Sequence, residues 1–367
     1  MSTVTDPRTA GTSGTKPKRL RCGAVGVGRM GRHHARVYAE MPEVDLVGIV
    51  DHNLDRAKEL AERHNTDAFD SVDALLEAGV DAVSIATPTI YHVPSATPFL
   101  KNGVACLIEK PLAADAEEAL HLAELAEQGD ACLMVGHIER FNPVMRAMQR
   151  ATVTGRGEQL IPRFMDIVRV SPMTFRSLDI GVVMDMMIHD LDVVIMLMGG
   201  REPDEVQASG VPVLGEHEDL CNARLVWNRG ADEGGGQCVA NLTASRLAMK
   251  TERVTRITSE NGYIKIDYAQ KTGTIIRRTG NEIQMQEVRD QINAGADLSD
   301  LNWAEIVNIE PLQIDDAEPI VMEIRSFLDA VREGEHPPID ARAGMANIRT
   351  AERIVAATRE SLGRSAH

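Results

Sequence analysis

Hydrophobic residues follow two rhythms along this chain. From Arg19 to about His137, short apolar runs alternate with longer amphipathic stretches. The pattern predicts strands over residues 20–25, 44–50, 82–86, 105–108 and 131–135, and helices over 30–41, 55–65, 71–78, 93–102 and 115–128. Short buried strands with a helix between each pair describe a parallel, doubly wound sheet. Ser71 is suited to cap its helix, and Gly79 and Gly103 stand where helix ends take a left-handed residue.

Past Phe141 the rhythm changes. A helix at 143–151 is followed by strand signals at 161–170, 205–209, 221–227, 238–245, 255–259, 263–267, 274–277 and 283–287. Ala223, Leu225 and Trp227 alternate with Asn222, Arg224 and Val226, the period-two mark of a sheet with two unlike faces. Residues 231–236 and the pair Asn261-Gly262 read as hairpin turns. One helix at 179–198 interrupts the series, and helices at 319–333 and 341–362 close the chain. This order describes a second domain on a large, mostly antiparallel open sheet.

Gly26-Val27-Gly28-Arg29-Met30-Gly31 directly follows the first strand. At a strand-to-helix turn, Gly26 allows the tight turn, Gly28 leaves room for a pyrophosphate, and Gly31 lets helix and strand pack closely. Alone, a structural Gly-rich turn satisfies the same pattern. Here the second strand ends on Asp51, about twenty residues on, where a dinucleotide-binding fold places the acid that takes the ribose hydroxyls. His52 and Asn53 follow it where a 2′-phosphate site wants Arg or Lys, and Arg56 is expected to face solvent. The reading is NAD rather than NADP. The chain then divides into a disordered tail (1–18), an NAD-binding Rossmann domain (19–140) and a second domain (141–367), an α/β fold joined to an α+β one.

At 367 residues the chain is too long for one ordinary core. A hydrophobic fraction of 43% and a charged fraction of 26% are those of a globular protein. A net charge of −16 argues against nucleic acid and anionic membranes as partners, while leaving room for a local basic pocket. No apolar run reaches membrane-spanning length, and Met1 to Lys18 carry no apolar core for a signal sequence. Five cysteines without C-x-x-C spacing suggest reduced thiols, with Cys22, Cys106 and Cys132 inside strand-like runs. A cytoplasmic protein without a metal is expected, since no second cluster of ligands is visible in the sequence.

Three further clusters carry chemistry. Thr87-Pro88-Thr89, with His92, follows the third confident strand, and ligands of such sheets bind outside the carboxyl ends of strands. A plain Pro-containing turn fits the same residues. Glu109-Lys110-Pro111 ends the next strand. It reads either as a solvated surface ion pair or, at the mouth of a dinucleotide site, as a lysine reaching the reacting carbon. Asp185, His189 and Asp192 stand at i, i+4 and i+7 on an otherwise apolar helix. Buried, they need polar partners, and histidine is the residue type that ordinarily titrates near neutrality, as a general base should. A helix with one solvated face, Asp190 included, is the bland alternative.

Together these motifs resemble the glucose–fructose oxidoreductase/inositol dehydrogenase (Gfo/Idh/MocA) family over about Arg19 to Leu362. The resemblance implies an oxidoreductase whose Lys110, Asp185 and His189 line a sugar site, and a sheet that packs against its counterpart in homodimers or homotetramers. Gly136-His137-Ile138-Glu139-Arg140-Phe141-Asn142-Pro143, the Met-Ile-His-Asp-Leu-Asp form of the helix, and Ser245-Arg246 with Lys250, Arg253 and Arg256 are more narrowly similar to bacterial UDP-N-acetylglucosamine 3-dehydrogenases. That implies oxidation of the sugar's 3-hydroxyl, the ketone passing to a PLP-dependent aminotransferase. A glycine-rich lead-in common among relatives is reduced here to Gly181.

In such chemistry His189 would take the hydroxyl proton, Asp185 would orient the imidazole or bind a sugar hydroxyl, and Lys110 would polarise the forming carbonyl. The roles of Lys110 and His189 are exchangeable on sequence alone. A substrate diphosphate needs cations, for which Arg140, Arg163, Arg169 and Arg246 are candidates, each otherwise a surface arginine. Two other readings compete: a dehydrogenase of a free sugar or polyol, and a cofactor-binding sensor or scaffold without turnover.

Overall fold

The strands β1 (Leu20–Val25), β2 (Val44–Val50), β3 (Asp67–Phe69), β4 (Ala82–Ile85), β5 (Ala105–Glu109) and β6 (Leu133–Gly136) line up as β3-β2-β1-β4-β5-β6 in this computed structural model. All neighbours are parallel. The order reverses between β1 and β4, so the carboxyl ends of these strands open a crevice there. Connecting helices are α1 (Gly31–Glu40), α2 (Leu54–His64), α3 (Val72–Glu77), α4 (His92–Lys101) and α5 (Ala116–Gly129). Asn53, Ser71 and Asp115 cap α2, α3 and α5 by accepting backbone N–H bonds. The structure describes residues 18–153, 161–175, 179–230, 235–260, 262–278, 282–295 and 307–364. The tail (save Lys18), most of the 231–236 turn and Asn261 lie outside them.

A second sheet is built from β7 (Pro162–Val170), β8 (Glu205–Val211), β9 (Leu220–Asn228), β10 (Gln237–Ser245), β11 (Glu252–Ser259), β12 (Gly262–Asp267), β13 (Thr272–Arg278) and β14 (Val307–Pro311). Its order is β14-β13-β12-β11-β7-β10-β9-β8. Only β7 and β10 pair in parallel among its described neighbours. Met165, Ile167, Leu225, Trp227 and Leu242 point to one face and bury against Met187, Leu191, Val194 and Ile354. Those partners come from a π-helical turn (Val183–Met187), from α7 (Ile188–Leu197) and from α10 (Ala341–Arg364).

Two expectations are corrected. The segment expected as a strand at 283–287 is the helix α8 (Glu282–Asn293), which follows α6 (Pro143–Val153) and precedes α9 (Pro319–Glu333) and α10 in the helix series. Ile283, Met285 and Glu287 alternate like a strand, but Met285, Val288 and Ile292 recur at helical spacing among strong helix formers. The helix expected at 179–198 begins only at the π turn, because Asp179 and Ile180 form a bend ahead of it. Strands β3 and β14 escaped the sequence reading, being too short to show a period.

Helices α9 and α10 return to the first sheet. Ile320, Ile324, Phe327, Met345 and Ile348 share one apolar cluster with Ile108, Leu112 and Val135. The end of the chain therefore clamps β5 and β6, whose carboxyl ends carry part of the site. No helix of the described residues is long and apolar enough to cross a membrane. Phe327 is fully buried in that cluster, so Phe327→Ala should cost about 3–5 kcal/mol. Urea unfolding of the variant checks it; a loss below 1 kcal/mol would mean that α9 is not part of the first core.

Candidate active site

The glycine loop has the form its spacing predicts. Gly26 has φ +79°, and a Cβ there would lie 2.7 Å from the Thr87 nitrogen. A Cβ on Gly31 would fall 1.7 Å from the Gly26 oxygen, whereas one on Gly28 would meet no protein atom within 4 Å. Among the described residues no protein group takes the N–H of Gly28, Arg29 or Met30, so these donors face the crevice at the start of α1. Met30 itself packs its side chain on the core. Asp51, buried, accepts the Val27 N–H at 2.8 Å and the Asn53 N–H at 2.9 Å, which fixes its carboxylate beside the loop. Arg56 does not simply face solvent. Its Nη1 lies 3.6 Å from Asp51 Oδ2, and His52 Nδ1 lies 3.2 Å from Oδ1.

A cleft of about 770 Å³ runs from this loop past Asp51, Ser71, Thr87 and Tyr91. Thr87 Oγ1 is buried there without a protein partner. An open cradle at Gly28, free loop donors and an orphaned hydroxyl together fit a dinucleotide. Thr87 and Pro88 line the cleft, while Thr89 does not. His92 is also turned away. Its Nδ1 lies 3.0 Å from the Pro111 oxygen and its Nε2 lies 3.0 Å from the Thr87 oxygen, so it ties two loops together rather than meeting a cofactor.

Lys110 extends from the end of β5 toward the second sheet, across a cis bond to Pro111. Its Nζ donates to the Asp185 carbonyl at 3.0 Å. Burial pushes the ammonium below its ordinary value, against the pull of the Asp185 and Glu109 carboxylates. Asp185 lies in the π turn, so the i, i+4, i+7 stripe expected of a regular helix is broken there. Glu218 shapes its start by accepting the Val183 N–H at 3.2 Å. It lies so close that a Cβ on Gly181 would sit 1.9 Å from its carboxylate. His189 opens the following turn with Nδ1 buried and unpartnered. Burial, then the Lys110 and Arg169 charges, hold its pKa well below the usual 6.5, so the imidazole is neutral at neutral pH.

The arginines are mostly spoken for. Arg140 grips Asp192 through Nε at 2.7 Å and Nη2 at 2.6 Å, which removes Asp192 from the reacting stripe. Arg169 holds Asp190 with two bonds of 2.8 Å and Glu139 with one of 3.1 Å. Arg246 pairs with Asp219 at 3.2 Å and also donates to the Ile180 and Glu218 carbonyls. Arg163 binds Glu260 and the Gly235 carbonyl, six residues before Arg169 on β7 and so roughly 20 Å away along the strand. These side chains join elements of the fold. Arg163 stands apart from the reacting groups altogether.

Beneath Lys110, Glu109 is turned away from the cleft toward His34, whose Nε2 lies 2.9 Å from its Oε1. Glu323 of α9 completes a buried trio with ligand atoms within 4.8 Å of one another, a cluster of metal-ligand types that the sequence did not reveal. Both ring nitrogens of His34 are already engaged, the other with Ser84 Oγ at 3.0 Å. Among the described residues Glu323 has no hydrogen-bond partner for either oxygen. Burial and the neighbouring Glu109 charge push its carboxyl well above the usual range, so a proton supplies the neutralising charge.

Residues 20–137 match the profile of the Gfo/Idh/MocA oxidoreductase family, NAD-binding Rossmann fold, and residues 174–363 match that family's C-terminal alpha/beta domain. The chain belongs to the Gfo/Idh/MocA family. Among its relatives, UDP-N-acetylglucosamine 3-dehydrogenase of Acidithiobacillus ferrooxidans is 37% identical over 87% of this chain and 90% of its own. A solved structure of that enzyme superposes with a TM-score of 0.79, at 35% identity, over 94% of this chain and 99% of the other. Inositol 2-dehydrogenase of Rhizobium meliloti is 31% identical over 53% of this chain and 59% of its own. This Gfo/Idh/MocA member is therefore an enzyme, a dehydrogenase of CH–OH groups that uses a nicotinamide dinucleotide.

Two outcomes follow from the geometry. Gly28→Ala should leave thermal stability within about 0.5 kcal/mol of wild type and abolish dinucleotide binding, whereas Gly31→Ala should fail in both; equal NADH affinity for Gly28→Ala and wild type would contradict the cradle. A carboxyl kept neutral when folded and free to ionise when unfolded loses stability as pH rises above about 4.3. Glu323→Gln should therefore become increasingly more stable than wild type between about pH 5 and pH 8 in melting experiments. A constant gap, or one that favours wild type, would point to an ionised or cation-bound Glu323.

Proposed function

We propose that this enzyme uses NAD to oxidise a secondary hydroxyl of a nucleotide sugar, with the 3-hydroxyl of UDP-N-acetylglucosamine as the reacting position. The observation that carries the catalytic part is the meeting of Lys110, from the end of β5, with the π turn that leads into His189. The nucleotide-sugar part is supported by the relative that matches along nearly its whole length, while the inositol enzymes align over about half. Asp51, locked by Val27 and Asn53, supports NAD, since its carboxylate keeps lone pairs for a ribose diol and repels a 2′-phosphate.

The glycine loop, Asp51 and Thr87 would hold the dinucleotide, whose nicotinamide would supply the hydride acceptor for the carbinol carbon. His189, neutral and with a free ring nitrogen, takes the hydroxyl proton. Lys110 donates to the oxygen as it becomes a carbonyl, and the Asp185 carbonyl holds its ammonium in place. Asp185 also balances the Lys110 charge through its carboxylate. The imidazolium and the Lys110 ammonium disfavour each other, so the two titrations are coupled. The 3-keto product suits a PLP-dependent aminotransferase. The five free cysteines suit the cytoplasm, and the uncovered face of the second sheet suits a homodimer or homotetramer.

His189→Asn and Lys110→Ala should each lower kcat by about 10²–10⁴-fold while NADH affinity is kept. Because His189 must be neutral and Lys110 charged, kcat/KM should rise with pH through a limb below 6.5 and fall through a limb below 10.5. A panel of UDP-sugars and free polyols, followed by NADH absorbance with NAD and NADP, tests substrate and cofactor together. Turnover of polyols alone, or wild-type rates in His189→Asn, would overturn the proposal.

A further inference from the structure

Four arginines suggested by the sequence are tied into the fold, which leaves open what meets an anionic substrate. Arg253 of β11 stands directly opposite Arg169 of β7 in the antiparallel register. Directly opposed residues project to the same face, and like charges so placed repel. Arg169 is compensated, since both Asp190 oxygens and Glu139 Oε1 bind it, and Glu139 Oε2 accepts from Asn142 Nδ2 at 3.1 Å. The excess negative charge of that trio steadies Arg253, but among the described residues no carboxylate oxygen lies in bonding reach of it. Its guanidinium makes no ion pair or hydrogen bond among the described residues, and the side chain is partly buried yet reaches solvent.

Its position is that of the site. Burial and Arg169 depress its pKa, as does Arg29 of the glycine loop, while Glu139 and Asp190 act the other way. The neutral state of His189 is likewise favoured by Arg253. Arg253 therefore stands within electrostatic reach of both the cofactor loop and the reacting histidine, with its fork of N–H donors unused. A planar donor fork matches the oxygens of a phosphate in a bidentate way.

We propose that Arg253 binds the diphosphate of the substrate, setting the distance between the nucleotide and the sugar ring presented to His189. This rests on the nucleotide-sugar reading but is read by binding alone. The probe is uridine diphosphate, titrated calorimetrically into the NADH-loaded protein. Wild type should bind it, Arg253→Ala about tenfold or more weakly, and Arg253→Lys in between because a point charge replaces the fork. NADH affinity should be equal in all three, which shows that each variant is folded. Equal uridine diphosphate affinity in wild type and Arg253→Ala, or none in wild type, overturns the inference. Binding through Arg253 without oxidation of any UDP-sugar leaves it standing and removes the proposed function instead.

Discussion

One hydrogen bond joins the two halves of the chemistry: Lys110 Nζ on the Asp185 carbonyl at 3.0 Å. Lys110 follows β5, the neighbour of β4 at the crevice of the first sheet, and Asp185 lies in a turn packed on the second. The bond fixes the ammonium where the crevice meets the second sheet. Burial there works on both neighbours in the same sense, disfavouring a charge on Lys110 and on His189. Two cations so close in a low-dielectric site repel strongly, and the histidine, with no partner for Nδ1, is the one that stays neutral. In the proposed mechanism, acid and base are thus divided between them by position.

Around that bond, charged side chains act as framework. Arg140–Asp192 and Arg169–Asp190–Glu139 are buried ion pairs that link the 138–142 turn, β7 and α7. They hold the wall of the site in register, and removing one member would leave an uncompensated buried charge. The protonated Glu323 beneath Glu109 belongs to the same economy, in which α9 reaches back to support the strand that carries Lys110. In a chain with net charge −16, the other site arginines are paired within the fold, and among the described residues Arg253 is not.

What was legible in the sequence was local. The glycine loop, the Asp51 acid and the strand-end lysine are set by residue type and short spacing, and the two rhythms of apolar residues separated the parallel from the antiparallel sheet. What was hidden was of two kinds. Pairings across long separations, such as Arg140 with Asp192 or His34 with Glu109 and Glu323, leave no trace in spacing, so tied arginines looked free and a ligand-type cluster stayed unseen. A π turn among Met184, Met186 and Met187 is also invisible, because apolar residues on every side show no preferred face. The segment at 283–287 misled for the opposite reason, carrying both periods at once.

The central claim is that Lys110 and His189 share one cavity and divide charge between them. Nuclear magnetic resonance titration of the His189 ring, in wild type and in Lys110→Ala, measures this directly. A pKa below 6.5 in wild type that rises when the ammonium is removed is the predicted result. A ring that titrates identically in both proteins would contradict the account.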